Sequence, residues 1–176
     1  MATMLNPKDI GELWMDLRSR LHQPGYKDKY ESEAEFEVDV WRRVVRLAND
    51  LGIDAASTCL TSHAIHTDRS ARAWERFLHE GAGPDVNVLG SKNRLDIVLR
   101  HPTHGSIGIE VKCLGQTDHA GKLTQALGQA LLGLWHRQRT VVVIHCGTVD
   151  ADVREELRTI GEKICDGTKT GLVVVP

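Results

Sequence analysis

The sequence of 176 residues lacks several features that mark particular protein classes. It has no run of about 18 apolar residues, the length that a helix needs to cross a membrane. The first ten residues lack the basic start and the apolar stretch of a secretory signal. These absences predict a cytoplasmic protein without a membrane segment.

Clustered cysteine, excess positive charge and several common catalytic motifs are also missing. The four cysteines are far apart and form no Cys-x-x-Cys pair, which argues against a disulfide framework and a structural zinc site. The net charge of -2 gives no global basic signal for nucleic acid, although a local basic rim would still hold a polyanion. The sequence has no Gly-rich phosphate loop, no Gly-x-Ser-x-Gly elbow and no Gly-x-Gly-x-x-Gly turn. No motif therefore supports nucleotide-triphosphate hydrolysis, serine esterase chemistry or dinucleotide binding.

Two stretches rich in β-branched residues and leucine, residues 93–99 and 107–112, are the most informative feature that the sequence does contain. The connection between them holds a proline and a glycine, so the pair predicts a β-hairpin. With a register symmetric about Thr103, Asp96 lies opposite Glu110. The predicted hairpin therefore places two acids side by side on one face of a sheet.

The alternation of side chains along a strand puts Lys112 on the same face as Asp96 and Glu110. The other, apolar face of the hairpin is formed by Ile97, Ile109 and Val111. Two carboxylates directly opposite each other repel, and such a pair destabilises a sheet unless a cation lies between them. The hairpin therefore predicts a site for one metal ion.

Asp96, followed after thirteen residues by Glu110-Val111-Lys112, resembles the catalytic signature of the PD-(D/E)xK nuclease superfamily. That superfamily includes restriction endonucleases, Holliday-junction resolvases and recombination-type exonucleases; the proline of its signature is Leu95 here. The resemblance implies that Mg²⁺ or Mn²⁺ is bound by Asp96, Glu110 and the main-chain carbonyl of Val111. Lys112 would orient the attacking water or stabilise charge on the phosphate. The implied activity is metal-dependent hydrolysis of phosphodiester bonds in DNA.

The order of predicted helices and strands agrees with the α-β-β-β-α-β core of this superfamily. Apolar periodicity predicts helices over residues 7–22, 32–51, 70–80, 122–137 and 152–165, and apolar runs predict strands over residues 85–89, 140–145 and 171–175. Residues 54–67 show no clear period and are predicted to be irregular. No repeat or linker divides the chain, so residues 1–176 are predicted to form one restriction-endonuclease-like α/β domain. It would have a mixed central sheet flanked by helices, an extra N-terminal helix and a C-terminal helix and strand.

Acidic residues crowd the start of the second predicted helix. Acids at this place complement the helix dipole, so solvent-exposed charge explains most of them. The resemblance implies in addition that one glutamate faces the active site. Glu37 is the first candidate because it lies at the edge of the apolar stripe, and Glu35 is the second.

Two glutamines and three arginines are further candidates for the site. Gln125 and Gln129 lie four residues apart on the helix after the hairpin, where the resemblance implies a glutamine directed toward the active site. A solvated helix face explains each glutamine equally well. The arginines are spaced to share one face of the third predicted helix, where they could contact phosphates, although a charged solvent face is at least as common. They are Arg69, Arg72 and Arg76.

The sequence leaves two classes of function open. The first is a metal-dependent DNA endonuclease or exonuclease in restriction, recombination, repair or phage defence, acting alone, as a homodimer or in a larger nuclease assembly. The second is a module that keeps the nuclease fold without efficient catalysis and docks on DNA or on a partner. The intact acids and lysine favour the enzyme, whereas the weak basic character favours a protein that needs a partner to hold DNA.

Overall fold

The computed structural model describes residues 9–61, 86–88, 91–115 and 118–176. Its helices are α1 (Ile10–His22), α2 (Glu33–Asp50), α3 (Ala55–Thr58), α4 (His119–Gly133) and α5 (Ala151–Cys165). Its strands are β1 (Cys59–Thr61), β2 (Val86–Val88), β3 (Ser91–Asn93), β4 (Ile97–His101), β5 (Gly105–Cys113), β6 (Arg139–His145) and β7 (Thr170–Val175). The helix predicted over residues 70–80 lies outside the described residues.

A mixed sheet of five strands, in the order β1-β4-β5-β6-β7, forms the centre of the fold. Strand β4 runs antiparallel to both of its neighbours, whereas β5, β6 and β7 run parallel to one another. Helices α1 and α2 pack on one face of this sheet, and α4 and α5 pack on the other. The prediction of an α/β fold with a mixed sheet between helices is confirmed. None of the described helices is both long and apolar enough to span a membrane.

Side-chain caps and apolar stripes explain the first two helices. The Asp9 side chain accepts hydrogen bonds from two backbone N–H groups at the start of α1, and Ser32 accepts one at the start of α2. Leu13, Leu17 and Leu21 follow at four-residue spacing along α1 and are fully buried. The apolar side of α1 therefore belongs to the core of this chain.

The first strand of the central sheet lies elsewhere than the sequence predicts. The segment predicted to be irregular, residues 54–67, contains α3 and β1. The strand predicted over residues 85–89 does form, as β2, but it pairs with β3 in a separate two-stranded sheet. Because β1 has only three residues, all of them buried, it is too short to produce an alternating pattern.

The β4–β5 hairpin has the register that the sequence predicts. Ile97 pairs with Ile109 and His101 pairs with Gly105, so the register is symmetric about Thr103. Gly105 has a φ of 96°, a left-handed backbone conformation that glycine adopts without strain at the end of the turn. Asp96, one residue before β4, therefore lies at the level of Glu110 on β5.

Candidate metal centre

Strand β5 has two chemically different faces. Ile107, Ile109 and Val111 point into the core beneath α1 and α2 and are fully buried. The alternate residues Glu110 and Lys112 lie on the face that α4 covers. The Glu110 side chain is only 1% exposed and that of Lys112 is 13% exposed. A carboxylate and an amine are thus held in the interior, where each charge requires a partner.

The backbone of β5 holds the Asp96 carboxylate in place. Asp96 Oδ2 accepts a hydrogen bond of 2.8 Å from the N–H of Val111. The N–H and C=O of one strand residue point to the same neighbouring strand, so the Val111 carbonyl also points to the side of β5 on which Asp96 lies. The carboxylate of Glu110 is close enough to interact with that of Asp96. Two carboxylates and one main-chain carbonyl therefore lie together where β4 begins.

Lys112 connects the hairpin with the start of α2. Its Nζ lies 3.3 Å from Glu110 Oε1 and 3.0 Å from Glu33 Oε1. The other oxygen of Glu33 accepts a hydrogen bond of 3.2 Å from the N–H of Cys113. Burial acts to lower the pKa of Lys112, but the neighbouring carboxylates outweigh it and raise that pKa above its usual value. The amine is therefore charged at neutral pH.

Burial and mutual repulsion disfavour the charged forms of the two acids. Burial raises the pKa of Glu110 well above its usual range, the charge of Asp96 raises it further, and Lys112 offsets only part of this. Burial also raises the pKa of Asp96, against the opposing effect of the hydrogen bond from Val111. The pair therefore keeps a proton to a higher pH than two solvated acids would.

One oxygen of Glu110 has no hydrogen-bond partner in the part of the chain that the structure describes. Glu110 Oε2 is buried, and none of the described residues donates to it. Leaving a buried carboxylate oxygen unpaired is unfavourable, and a positive charge beside it would also offset the repulsion from Asp96. The unpaired oxygen and the repelling acids therefore fit a bound cation.

The donor atoms at this place are all oxygens, which suits a hard divalent cation. Mg²⁺ binds one or two carboxylates and keeps several waters, and Mn²⁺ accepts similar ligands. Within the described part of the chain, no group of three or more His, Cys, Asp or Glu residues comes together as a metal site. Asp96, Glu110 and the Val111 carbonyl would therefore bind the cation with water completing the ligand set.

The glutamates of α2 lie at different places. The carboxylate of Glu37 is buried and accepts a hydrogen bond from the hydroxyl of Thr61 on β1. Glu35 forms a surface ion pair with a lysine. Glu33, one helical turn before Glu37, is the glutamate that contacts Lys112. The structure thus adds Glu33 to the candidate site, and the role predicted for Glu37 stays a prediction.

The two glutamines of α4 differ in exposure. Gln125 is exposed, whereas Gln129 is half-buried and lines a pocket beside the hairpin. Gln129 Oε1 is buried and has no hydrogen-bond partner among the described residues. Gln129 is therefore the glutamine that α4 brings close to the segment before β4. The three arginines predicted to contact phosphates, Arg69, Arg72 and Arg76, lie outside the described residues.

Packing of Leu95 fixes the backbone just before Asp96. A Cβ added to Gly108 on β5 would lie 2.1 Å from Leu95 Cδ1, and one added to Gly133 at the end of α4 would lie 2.5 Å from the same atom. A side chain at either position would therefore require Leu95 to shift. Leu95 directly precedes Asp96, and close packing between β5 and α4 holds it in place.

Comparisons of the whole chain with protein-family profiles, with curated proteins and with solved structures found no match. The residues and contacts described above are therefore the basis for the function proposed below.

Proposed function

We propose that the protein is a metal-dependent nuclease that hydrolyses phosphodiester bonds in DNA. The half-buried Asp96 and the buried Glu110 beside Lys112, with one Glu110 oxygen that no described residue contacts by a hydrogen bond, are the observation that carries the proposal. Two acids that repel each other in the interior destabilise the folded chain. Their presence therefore indicates a role in binding a cation or a substrate.

The order of elements supports the resemblance to the PD-(D/E)xK superfamily. Along the central sheet the elements α2, β1, β4, β5, α4 and β6 follow the order α-β-β-β-α-β. Helix α1 precedes this set, and α5 with β7 follows it. Asp96 directly precedes β4 and Glu110 lies on β5, and these are the second and third strands of the sheet, which agrees with the resemblance.

The side chains of the site have distinct roles in this proposal. Asp96, Glu110 and the Val111 carbonyl would hold Mg²⁺ or Mn²⁺. The bound cation would supply Lewis acidity, which makes water more acidic and offsets negative charge on the phosphate. The charged amine of Lys112, 3.3 Å from Glu110, would stabilise charge that develops on the phosphate or orient the attacking water. Glu33 restricts the positions that this amine can take, because it binds Lys112 at 3.0 Å.

Cleavage assays on wild type and Glu110→Ala test the proposal. The substrates are supercoiled, linear, single-stranded and branched DNA together with RNA, each with Mg²⁺, Mn²⁺ or EDTA. We expect metal-dependent cutting by the wild type and none by the variant, because one of the two carboxylate ligands is gone. Arg42→Gln, at an exposed position of α2, is the control and should cut like the wild type. Retained cutting by Glu110→Ala contradicts the proposal. A wild type that cuts no substrate favours a binding module that keeps the fold.

A further inference from the structure

Helix α4 carries far less charge than the helix beside it. Residues 123–136 contain no Asp, Glu, Lys or Arg, although these four residue types make up 26% of the sequence. Helix α5 has the same length of 15 residues, packs on the same face of the sheet and contains seven such residues. A helix with one side open to water normally has charged residues on that side. The packing of this chain alone does not explain why α4 lacks them.

Residues spaced by two helical turns form the side of α4 that points away from the sheet. Gly121, Gly128 and Trp135 follow at seven-residue spacing, and Thr124 and Leu132 lie on the same side. None of these five residues is buried, and Trp135 is 80% exposed. The N–H of Trp135 donates to the carbonyl of Leu132, so a helical turn continues past the end of α4. These five residues form the outer face of α4.

The two cations that flank the uncharged stretch point away from the outer face. Lys122 Nζ donates a hydrogen bond of 2.9 Å to the carbonyl of Cys113. The guanidinium of Arg137 donates one of 3.3 Å to the hydroxyl of Ser106. Cys113 and Ser106 both belong to β5, which lies beneath α4. Lys122 and Arg137 therefore do not place positive charge on the outer face.

Exposed isoleucines of α5 extend the apolar surface beside the outer face. Ile160 is 37% exposed and Ile164 is 47% exposed. On the opposite side of α5, Arg158 and Glu162 are close enough to His22 of α1 to affect its pKa, which burial lowers most. Because α1 packs on the other face of the sheet, that side of α5 lies at the β7 edge. Ile160 and Ile164 therefore lie on the side of α5 toward α4.

Gly128, at the centre of the outer face, is a glycine that the described part of this chain does not require. A Cβ on Gly128 would have no described atom within 4 Å, and Gly128 is not among the glycines with positive φ. Glycine is among the least favourable residues in the interior of a helix. Its lack of a side chain lets another backbone approach closely. Gly128 therefore suits a second helix that crosses α4 at this position.

The lack of charge favours a second copy of this chain as the partner. In a twofold dimer each residue near the axis faces the same residue of the other copy, so a charged residue there meets its own charge. A different protein could match a charge on α4 with an opposite one. The core of a homodimer interface is also apolar and depleted of charged residues. The outer face of α4 meets these conditions.

We propose that the chain forms a twofold homodimer in which the α4 helices of two copies cross antiparallel at Gly128. Trp135 and Gly121 lie seven residues on either side of Gly128, so Trp135 of each copy would lie over Gly121 of the other. A Cβ on Gly121 would lie 2.3 Å from an oxygen of Asp118, an exposed acid. The indole N–H of Trp135 would donate a hydrogen bond to that carboxylate of the other copy. This dimer does not depend on the proposed nuclease function.

Sedimentation equilibrium of the full chain, at several concentrations up to about 100 µM, measures the dissociation constant of the dimer. The proteins are wild type, Trp135→Ala, Gly128→Glu and the control Met15→Glu. Met15 is an apolar residue of α1, 57% exposed, on the other face of the sheet. Glutamate is a better helix former than glycine and the position is open, so we expect Gly128→Glu to fold, which circular dichroism checks.

We expect the wild type to reach about twice its chain mass of 19.5 kDa. Trp135→Ala should weaken the dimer by about tenfold or more, because an aromatic residue at the interface is removed. Gly128→Glu should weaken it by about a hundredfold or more, because two carboxylates then meet at the axis. Met15→Glu should leave the dissociation constant unchanged.

Oxidative crosslinking tests the position of the axis. Only a residue near a twofold axis is close enough to its own copy for a disulfide, so Gly128→Cys should crosslink to a dimer. Met15→Cys and the wild type, with its four native cysteines, are the controls and should not crosslink. A non-reducing gel measures the crosslinked fraction.

A wild type that stays monomeric overturns the inference, also when it binds lipid vesicles or another protein through Trp135. A dimer that neither Trp135→Ala nor Gly128→Glu weakens uses another surface and overturns it as well. Gly128→Cys that crosslinks no more than Met15→Cys contradicts the crossing at Gly128. Dimerisation with no cutting in the cleavage assays supports the dimer and rejects the nuclease, and cutting by a monomer does the reverse.

Discussion

Strands β5 and β6 lie side by side at the centre of the sheet, yet their faces toward α4 differ in chemistry. Glu110 pairs with Val142 and Lys112 pairs with Ile144, so each charged residue on β5 has an aliphatic neighbour at the same level. Val142 and Ile144 are fully buried and belong to the core beneath α4 and α5. Aliphatic side chains thus fill this layer on β6. The packing of the layer does not explain the charged residues on β5.

The largest expected effect is on the rate of cleavage, when Lys112 on β5 is replaced with an apolar residue of the kind that β6 carries. Lys112→Met should slow cleavage by about 10²–10³-fold, because the positive charge next to the acids is lost while the side chain remains long and apolar. Single-turnover cleavage with Mg²⁺ measures the change. Lys163→Met, at an exposed position on α5, is the matched control. Equal cleavage rates for the two variants would show that Lys112 takes no part in the reaction.

A smaller effect is expected on the free energy of unfolding without metal. The pKa of Glu110 is raised in the folded state, so that state binds the proton more tightly than the unfolded chain does. The contribution of Glu110 to the free energy of unfolding is fully present below about pH 4.3, the ordinary glutamate pKa. It is lost as the pH rises from there through the raised pKa of the folded state. Mg²⁺ has to displace the same proton, so its affinity should rise over that range.

Thermal unfolding of wild type and Glu110→Gln at about pH 5, 7 and 9, with EDTA or Mg²⁺, tests this pH dependence. Relative to Glu110→Gln, the metal-free wild type should lose about 1.4 kcal/mol or more of stability toward high pH, which corresponds to one pKa unit. Burial lowers the pKa of His22 and of His145, which act in the opposite direction, and the difference between the two proteins cancels their contribution. What remains is the effect of Glu110 together with its repulsion of Asp96. A constant difference at all three pH values would mean that Glu110 does not hold the proton.

The smallest effect is expected on β6. Ile144→Val removes one methyl group from the level of Lys112 and should lower the free energy of unfolding by about 0.5–1.5 kcal/mol. Cleavage should be unchanged at a temperature where the variant is folded. Urea unfolding and the cleavage assay measure the two quantities. A loss of cleavage comparable to that of Lys112→Met would mean that β6 contributes to cleavage as well as to packing.

Local patterns were sufficient to predict the hairpin and its acids. Alternation along a strand and a turn with proline and glycine are features of neighbouring residues, so they specify that Asp96 and Glu110 meet. The caps and apolar stripes of α1 and α2 are equally local. By contrast, the contact between Lys112 and Glu33 joins residues 79 positions apart, and no local pattern specifies it.

Close approach between elements also explains an error in the predicted faces of helices. The helical period predicts one apolar stripe on α5, formed by Val153, Leu157, Ile160 and Ile164, but Ile160 is 37% exposed and Ile164 is 47% exposed. Gly161 faces the sheet instead, where an added Cβ would lie 1.7 Å from Leu172 Cδ2. Hydrophobic spacing assigns no weight to glycine, so it cannot indicate a helix that approaches a strand through one. The pocket beside α4 likewise depends on how the helix lies against β4 and β5.

The packing of Leu95 against two glycines has a consequence for how this protein can change over generations. Gly108 and Gly133 belong to different elements, but a side chain at either would meet the same leucine. A descendant that gains a side chain at residue 108 or 133 has to move Leu95 or replace it with a smaller residue. We therefore expect substitutions at these three positions to be correlated in related sequences.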